Sequence, residues 1–381
     1  MKINILQGAF LPVPPIKGGA IESVWFLLAQ EFAKHGHEVT HISCMHKGLK
    51  NTETIAGVNH LRIRGSRAVK NPWLLKALEL PYVLRAKKVM PPADILVTHA
   101  FWAPLVLTRE ALGKQYVHVG RYPKGQLRLY KKASRLQVPS NAIKDICLEQ
   151  APSLASKIKT LPYPLTWPIP AKVGFEEKEK TVLYAGRIHP EKGVLSLCET
   201  WNRLPQKIAA GWNLRLVGPW REGEGGGGNS FKEKLVQTIK RGSNQIELSE
   251  PIFDRSKLKE VMMQASYFVY PSMAKRGETF GLSVLEAMSC GCVPVVSSLG
   301  CFKDFVNHEV EGFIFKKTAG DKMCGLANTL THVLQLNESE FTEFSRTAWV
   351  RSKDYSLEKV ALGYLNDFNE IIQKNNKLSV I

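Results

Sequence analysis

Three short segments combine charge and glycine at spacings that can do chemistry. The first, Lys17-Gly18-Gly19-Ala20-Ile21-Glu22, joins an apolar run to a stretch of helical periodicity. Glycines at such a junction let the backbone approach a ligand, and a helix start favours an anion. A tight turn asks for the same residues. The second is Gly186-Arg187-Ile188-His189-Pro190-Glu191-Lys192-Gly193. Arg187 and Lys192 would put a fork of donors and a point charge where a strand gives way to a helix, which suits a diphosphate. A solvated basic loop would look alike. The third runs from Arg276 through Glu278, Phe280-Gly281-Leu282 and Glu286 to Met288. A helix opening near Gly281 or Leu282 leaves Glu278 in the preceding loop and carries Glu286 one turn in. Amides at Phe280–Ser283 can receive phosphate oxygens. Two carboxylates flanking an anion site are better suited to hydroxyls. A sugar–diphosphate–ribose ligand has hydroxyls at both ends and anions between. Helix capping or surface pairing by Glu286 is the plainer alternative.

These segments need elements to position them. Strands are predicted at Lys2–Leu6, Glu38–Ser43, Asp94–Thr98, Gln115–Val119 and Arg135–Pro139. A second set follows at Thr181–Ala185, Asn213–Val217, Gln245–Leu248, Ser266–Tyr270 and Val293–Ser297. Helical spacing fills Ala20–Lys34 and Val194–Leu204, and the next helix should stop at Cys290-Gly291 with Gly291 as its cap. Strands alternating with helices imply parallel α/β sheets, and the pattern runs twice. A (β/α)8 barrel would need one even rhythm. Leu161–Glu179, with four prolines in its first ten residues, breaks that rhythm and reads as the linker. The glycine run within Glu222–Ser230 reads as a mobile loop. An amphipathic tail at Ser356–Ile372 reads as a terminal helix.

Length and composition agree. A chain of 381 residues exceeds one ordinary core, and 44% hydrophobic with 23% charged residues is a globular mix. The N-terminus reads as a buried strand rather than a secretory signal. Seven cysteines, an odd and sparse count, argue against a disulfide framework and for a reducing cytoplasm. Net charge is +18, of which residues 1–165 hold +15 (24 basic against 9 acidic). Such a field attracts nucleic acid, an anionic membrane or a phosphorylated substrate, or simply keeps the surface soluble.

In combination the segments resemble glycosyltransferase family 4, the retaining group 1 glycosyl transferases of GT-B fold. Gly18-Gly19…Glu22, Gly36-His37-Glu38-Val39, Gly186-Arg187-x4-Lys192-Gly193 and Glu278-x7-Glu286 occur in the family's order over nearly the whole chain. The resemblance implies two Rossmann-like doubly wound domains facing across a cleft. Residues 1–165 would bind the acceptor, completed by a helix at 357–381, and residues 166–356 the nucleotide sugar. It further implies that Arg187 and Lys192 bind the diphosphate and Glu286 the ribose. Glu278 with the Phe280-Gly281-Leu282 backbone would take the donor sugar and phosphate, Pro251-Ile252 the base, and Gly18-Gly19 would close over the diphosphate. His118, after an N-terminal strand, would lie near the anomeric carbon. His99, Trp102, Arg121 and Lys124 would meet the acceptor.

The expected enzyme is a retaining, metal-independent hexosyltransferase. Its donor would be a UDP-sugar, UDP-glucose by family frequency, and its acceptor a glycan or lipid-linked glycan in polysaccharide synthesis. No cofactor or metal is expected, since no Asp-x-Asp motif occurs. The compartment would be the cytoplasm, with peripheral docking on the inner face of the plasma membrane, and the basic residues of Arg121–Lys132 would face that anionic membrane or a lipid-linked diphosphate glycan. Two departures stand out: Leu161-Pro162-Tyr163-Pro164 where relatives carry Asn-Gly, and Ser249-Glu250 where they carry Gly. Cys290-Gly291-Cys292 near Cys301 and His308 has no zinc-finger spacing and reads as core thiols. The rival readings are a basic nucleic-acid-binding protein, which lacks a recognisable motif here, and a GT-B nucleotide-sugar epimerase or phosphorylase.

Overall fold

The computed structural model describes residues 1–69, 71–274, 276–316 and 324–378. Contacts divide the chain into a first unit, Met1–Trp167 with Tyr355–Ile381, and a second, Pro168–Asp354.

The first unit is built on strands β1 (Lys2–Leu6), β2 (Glu38–Cys44), β3 (Thr52–Ile55), β4 (Val58–Ile63), β5 (Ile95–Thr98), β6 (Lys114–His118), β7 (Arg135–Val138) and β8 (Ile158–Thr160). They lie in the order β3-β4-β2-β1-β5-β6-β7-β8. All neighbours are parallel except β3 with β4. Strands buried on both faces read as unbroken apolar runs, which is why Ile95–Thr98 is fully buried. The expected helix Ala20–Lys34 forms with those bounds. It packs against the C-terminal helix Leu357–Leu378 through Phe32–Phe368 and Trp25–Tyr364, with ring centroids 5.6 and 5.3 Å apart. A buried ion cluster ties the same helix to the sheet. Asp367 meets Arg135 at 2.6 Å and Lys159 at 3.1 Å, and accepts from the Tyr116 hydroxyl at 3.0 Å.

The second unit carries β9 (Glu179–Ala185), β10 (Asn213–Val217), β11 (Ile246–Ser249), β12 (Ala265–Tyr270), β13 (Val293–Ser297) and β14 (Phe313–Phe315). This sheet is parallel throughout, in the order β11-β10-β9-β12-β13-β14. In both sheets the order reverses once, beside β1 and β5 in the first and beside β9 and β12 in the second. Ligands of open α/β sheets bind outside the carboxyl ends of strands at such a switch point. The Gly18-Gly19 loop and His99 follow β1 and β5; the Arg187–Lys192 loop and Glu278 follow β9 and β12.

Three kinds of expectation need correction. The hairpin β3–β4 and the short edge strands β8 and β14 are absent from the sequence reading. On β4 the buried positions are Val58, His60 and Arg62, so polar residues occupy the face where apolar ones signal a strand. The glycine run is largely ordered: Glu222–Glu224 forms a 3-10 turn and Gly228 opens the helix Gly228–Lys240. The proline-rich stretch is not a free tether at its start. Tyr163 and Leu165 are buried, and Leu165 donates its amide to the Tyr355 carbonyl at 2.8 Å.

Candidate active site

The second unit's site is assembled from two strand ends. Near the end of β9, Tyr184 donates its hydroxyl to the Arg187 carbonyl at 2.7 Å and stacks on Tyr270 of β12. A 3-10 turn, Pro190–Lys192, then leads through Gly193 into the helix Val194–Arg203. Gly193 sits at φ +73°, and a Cβ there would lie 2.3 Å from the Pro271 carbonyl. Glycine therefore lets this loop rest on the residue that follows β12. The pinch delivers Lys192 to the other strand end, where its Nζ lies 2.7 Å from a Glu278 carboxylate oxygen and 5.6 Å from the centre of the Tyr270 ring. Both partners are nearly buried, with side chains 5% and 11% exposed. A charged pair so placed survives only with close geometry, because each ion has lost water.

Arg187 is the half-exposed cation. Its guanidinium donates to Glu191 at 2.8 Å and to the Gly225 carbonyl at 2.8 Å, in the glycine run. Gly281, at φ +93° and packed on the Phe302 ring, caps the helix Leu282–Ser289 without any side-chain hydrogen bond. The amides of that first turn are therefore not claimed by a capping side chain. Phe280 is buried beneath it against Phe305. Glu286 lies one turn in, buried, and pairs with Arg255 at the start of the helix Arg255–Gln264. Lys192, Glu278, Gly281 and Leu282 thus lie at neighbouring strand and helix ends, with Arg187 on the same loop as Lys192. Pro251 and Ile252 are half-buried beyond β11, two strands away from β9 in the sheet. Cys290 and Cys292 are buried thiols; Cys292 Sγ donates to the Met262 carbonyl at 3.0 Å, and burial raises both thiol pKa values. Among the described residues no three His, Cys, Asp or Glu side chains are grouped to hold a metal.

The first unit has a cavity of about 160 Å³ beyond β1, β5 and β6. His99, His118, Phe101, Glu22, Glu79 and Arg121 are among the residues lining it. Burial lowers the pKa of His99 far below its usual value and that of His118 to about 4, so both rings are neutral near pH 7. His99 Nε2 accepts the Gly8 amide at 3.1 Å, which places its proton on Nδ1. The tautomer of His118 follows from its neighbours. Gln137 donates its amide nitrogen to the Leu161 carbonyl at 2.7 Å, so its oxygen faces His118 Nδ1. Nδ1 must then carry the proton, and Nε2 accepts the Tyr163 hydroxyl at 3.1 Å. Burial also raises the carboxyl pKa of Glu22 and Glu79. Glu79 accepts the Phe101 amide at 2.8 Å, while the charge of Arg121 acts on Glu22 in the opposite sense to burial.

Of the four expected acceptor residues, His99 and Arg121 line this cavity; Trp102 and Lys124 do not. The Trp102 indole donates to the Lys76 carbonyl at 2.8 Å, and Lys124 is exposed with its amide on the Gln126 side chain. Gly18 and Gly19 are exposed at positive φ, with the Glu22 carboxylate folded back onto Gly19. Sequence reading missed Tyr270, Arg255, Glu79 and Tyr163. Each belongs to no motif, and only the fold brings it to the site. Asp254, which caps the helix that starts at Arg255, was the one local signal.

Residues 166–340 match the family described as glycosyl transferases group 1. The D-inositol 3-phosphate glycosyltransferase of Jonesia denitrificans is 28% identical over 171 residues, 44% of this chain and 38% of that protein. The chain thus matches well under half the length of this curated relative. Among solved structures, sucrose-phosphate synthase from Thermosynechococcus elongatus superposes with a TM-score of 0.78 at 18% identity, over 98% of this chain and 99% of that one. HepE of Anabaena, solved with UDP and glucose, gives 0.71 at 17% identity over 97% and 99%. The fold is that of the GT-B glycosyltransferases.

Proposed function

Because its second unit matches the group 1 glycosyl transferases, we propose that this chain is a retaining, metal-independent hexosyltransferase. One observation carries the reading. A buried lysine and a carboxylate from two strand ends are held 2.7 Å apart beside a helix start that no side chain caps. Lys192, Arg187 and the first-turn amides supply fixed positive charge where a diphosphate leaving group would gather negative charge. Such preorganised stabilisation commonly contributes more to catalysis than any other single effect. Glu278 would hold sugar hydroxyls, Glu286 the ribose, and Pro251-Ile252 the base. The donor is a nucleotide sugar, UDP-glucose first, in line with the UDP and glucose bound by HepE. The acceptor is a glycan or lipid-linked glycan of polysaccharide synthesis. Its hydroxyl would attack from the face the diphosphate leaves, with His118 near the anomeric carbon and His99 and Arg121 on the acceptor. The enzyme works in the cytoplasm, docked peripherally on an anionic membrane.

Thermal unfolding with UDP, GDP, ADP and their glucose and mannose conjugates, with and without EDTA, tests the donor. A ligand that binds only the folded chain raises its midpoint by mass action. We expect an EDTA-resistant shift with the uridine compounds that Lys192→Ala abolishes. A shift with GDP alone would correct the base, and loss with EDTA would overturn metal independence. Incubation with donor alone should leave it unchanged; an epimerised donor would overturn the transferase reading.

A further inference from the structure

The helix Pro72–Val89 is apolar on two faces. Its inner face buries Tyr82, Val83 and Ala86 in the first unit's core. Its outer face is the unusual one. Trp73, Ala77, Pro81 and Leu84 recur at three- and four-residue spacing, so they line one stripe, and all are exposed. Trp73 is 79% exposed and Leu84 46%. A helix apolar all round belongs in a core or against something else. Among the described residues of the first unit, nothing covers the outer stripe.

The charges around the stripe say what fits it. Of the basic residues of this helix, Lys76, Arg85, Lys87 and Lys88, Lys88 is exposed, whereas Lys87 donates its ammonium to the Val106 carbonyl at 3.2 Å. Its one acid, Glu79, is buried and turned inward onto the Phe101 amide. Arg64 and Arg67 are exposed in the segment that leads to the helix. An exposed tryptophan, an apolar stripe and a border of cations without exposed acids are complementary to one surface above others. The indole and the leucines sit at the headgroup level of a bilayer, and the long cationic side chains reach its anionic phosphates.

We infer that the helix Pro72–Val89 lies on an anionic lipid surface with Trp73 and Leu84 inserted. Placement of the cavity gives this a purpose. Leu75 and Glu79 line it from the same helix, and the Lys76 ammonium lies 4.2 Å from the ring centre of Phe101, another lining residue. Docking by this helix would therefore hold the cavity beside the lipid headgroups, where a lipid-borne acceptor presents its sugar. The inference deepens, and for that purpose rests on, the reading of a lipid-linked acceptor. It adds a docking surface to the one expected of the basic stretch Arg121–Lys132.

Flotation of the full chain with phosphatidylcholine vesicles, with and without about a third phosphatidylglycerol, tests it. We expect salt-sensitive binding to the anionic vesicles only. Trp73→Ser with Leu84→Ser should lower partitioning at least tenfold. Arg67→Glu with Lys88→Glu should lower it on the order of a hundredfold, at the usual contribution per surface cation. All four side chains are exposed, so unfolding midpoints should hold. Undiminished binding by both variants would overturn the inference. So would a dimer in solution that Trp73→Ser dissolves, since the stripe would then cover a second copy. The nucleotide shift depends on the second unit, so its loss would sink the transferase reading while leaving vesicle binding intact.

Discussion

The second unit keeps the charges of its site and pairs them, whereas the cavity beyond β5 and β6 of the first unit holds two histidines neutral beside the side chain of Arg121. Arg187 with Glu191, Lys192 with Glu278 and Arg255 with Glu286 are ion pairs of the second unit. In the first unit's cavity the two histidines are held neutral, and burial pushes both carboxyl pKa values upward. Two sheets of similar topology thus treat titratable side chains differently at equivalent strand ends: ion pairs in one, neutral imidazoles in the other. The paired site can exchange an internal carboxylate for a ligand phosphate. The first unit's cavity can sort hydroxyls by hydrogen bonding through two neutral imidazoles.

The sharpest way to break this contrast is to remove the buried cation. Lys192→Ala should lower turnover by on the order of 10²–10³, the usual cost of a charge-stabilising donor. It also strands Glu278 in a largely buried position, so stability should fall by about 3 kcal/mol. Steady-state assays and urea titration read the two effects separately. Retained turnover would mean that the paired site is not where charge develops. Gly193→Ala attacks the same site through the backbone. The new Cβ would meet the Pro271 carbonyl at a positive φ, so a loss of about 2–3 kcal/mol is expected, together with the nucleotide-induced shift. Full stability in that variant would show that the loop does not need the pinch.

Acid should separate the two regions next. Unfolded histidine titrates near 6.5, whereas folded His118 titrates at about 4. As pH falls through 6.5 the unfolded chain takes the proton first, so stability is lost between about 6.5 and 4 and levels below. His118 accounts for about 2 kcal/mol of that loss at pH 4.5. The raised carboxyl pKa values of Glu22 and Glu79 act oppositely: the folded chain binds those protons first, offsetting part of the loss. Urea unfolding at pH 7 and 4.5 should show a smaller drop in His118→Gln than in the parent. Equal drops would mean that the imidazole is not buried neutral.

The contrast was half legible in sequence. Arg187, Lys192, Glu278 and Glu286 lie in two continuous segments, and a strand end followed by a glycine is a local pattern, so those positions could be read directly. Helix bounds such as Ala20–Lys34 followed from apolar spacing. The cavity was less legible because neutrality is a property of surroundings. Nothing in Tyr116-Val117-His118-Val119 reports that Gln137 and Tyr163 fix its ring. Glu79 gives no sign of facing inward, because the helix that carries it is apolar on both sides. Strand β4 was invisible for the related reason that His60 and Arg62 take its buried face.

The finest test concerns the hydroxyl that holds His118. Tyr163→Phe removes one hydrogen bond between neutral groups, so it should cost about 1 kcal/mol of stability. Its effect on turnover discriminates between two uses of the ring. If Nε2 must receive a substrate hydroxyl, Tyr163 competes for the same lone pair, and the variant should keep or modestly raise turnover, with KM falling. If Tyr163 instead serves to orient the ring, turnover should fall while KM holds. The geometry favours competition. Gln137 already fixes the tautomer through Nδ1 and is itself anchored on the Leu161 carbonyl, so the ring needs no second restraint. A fall in turnover of tenfold or more at unchanged KM would show that the histidine cavity depends on this network as rigidly as the charged site depends on Lys192.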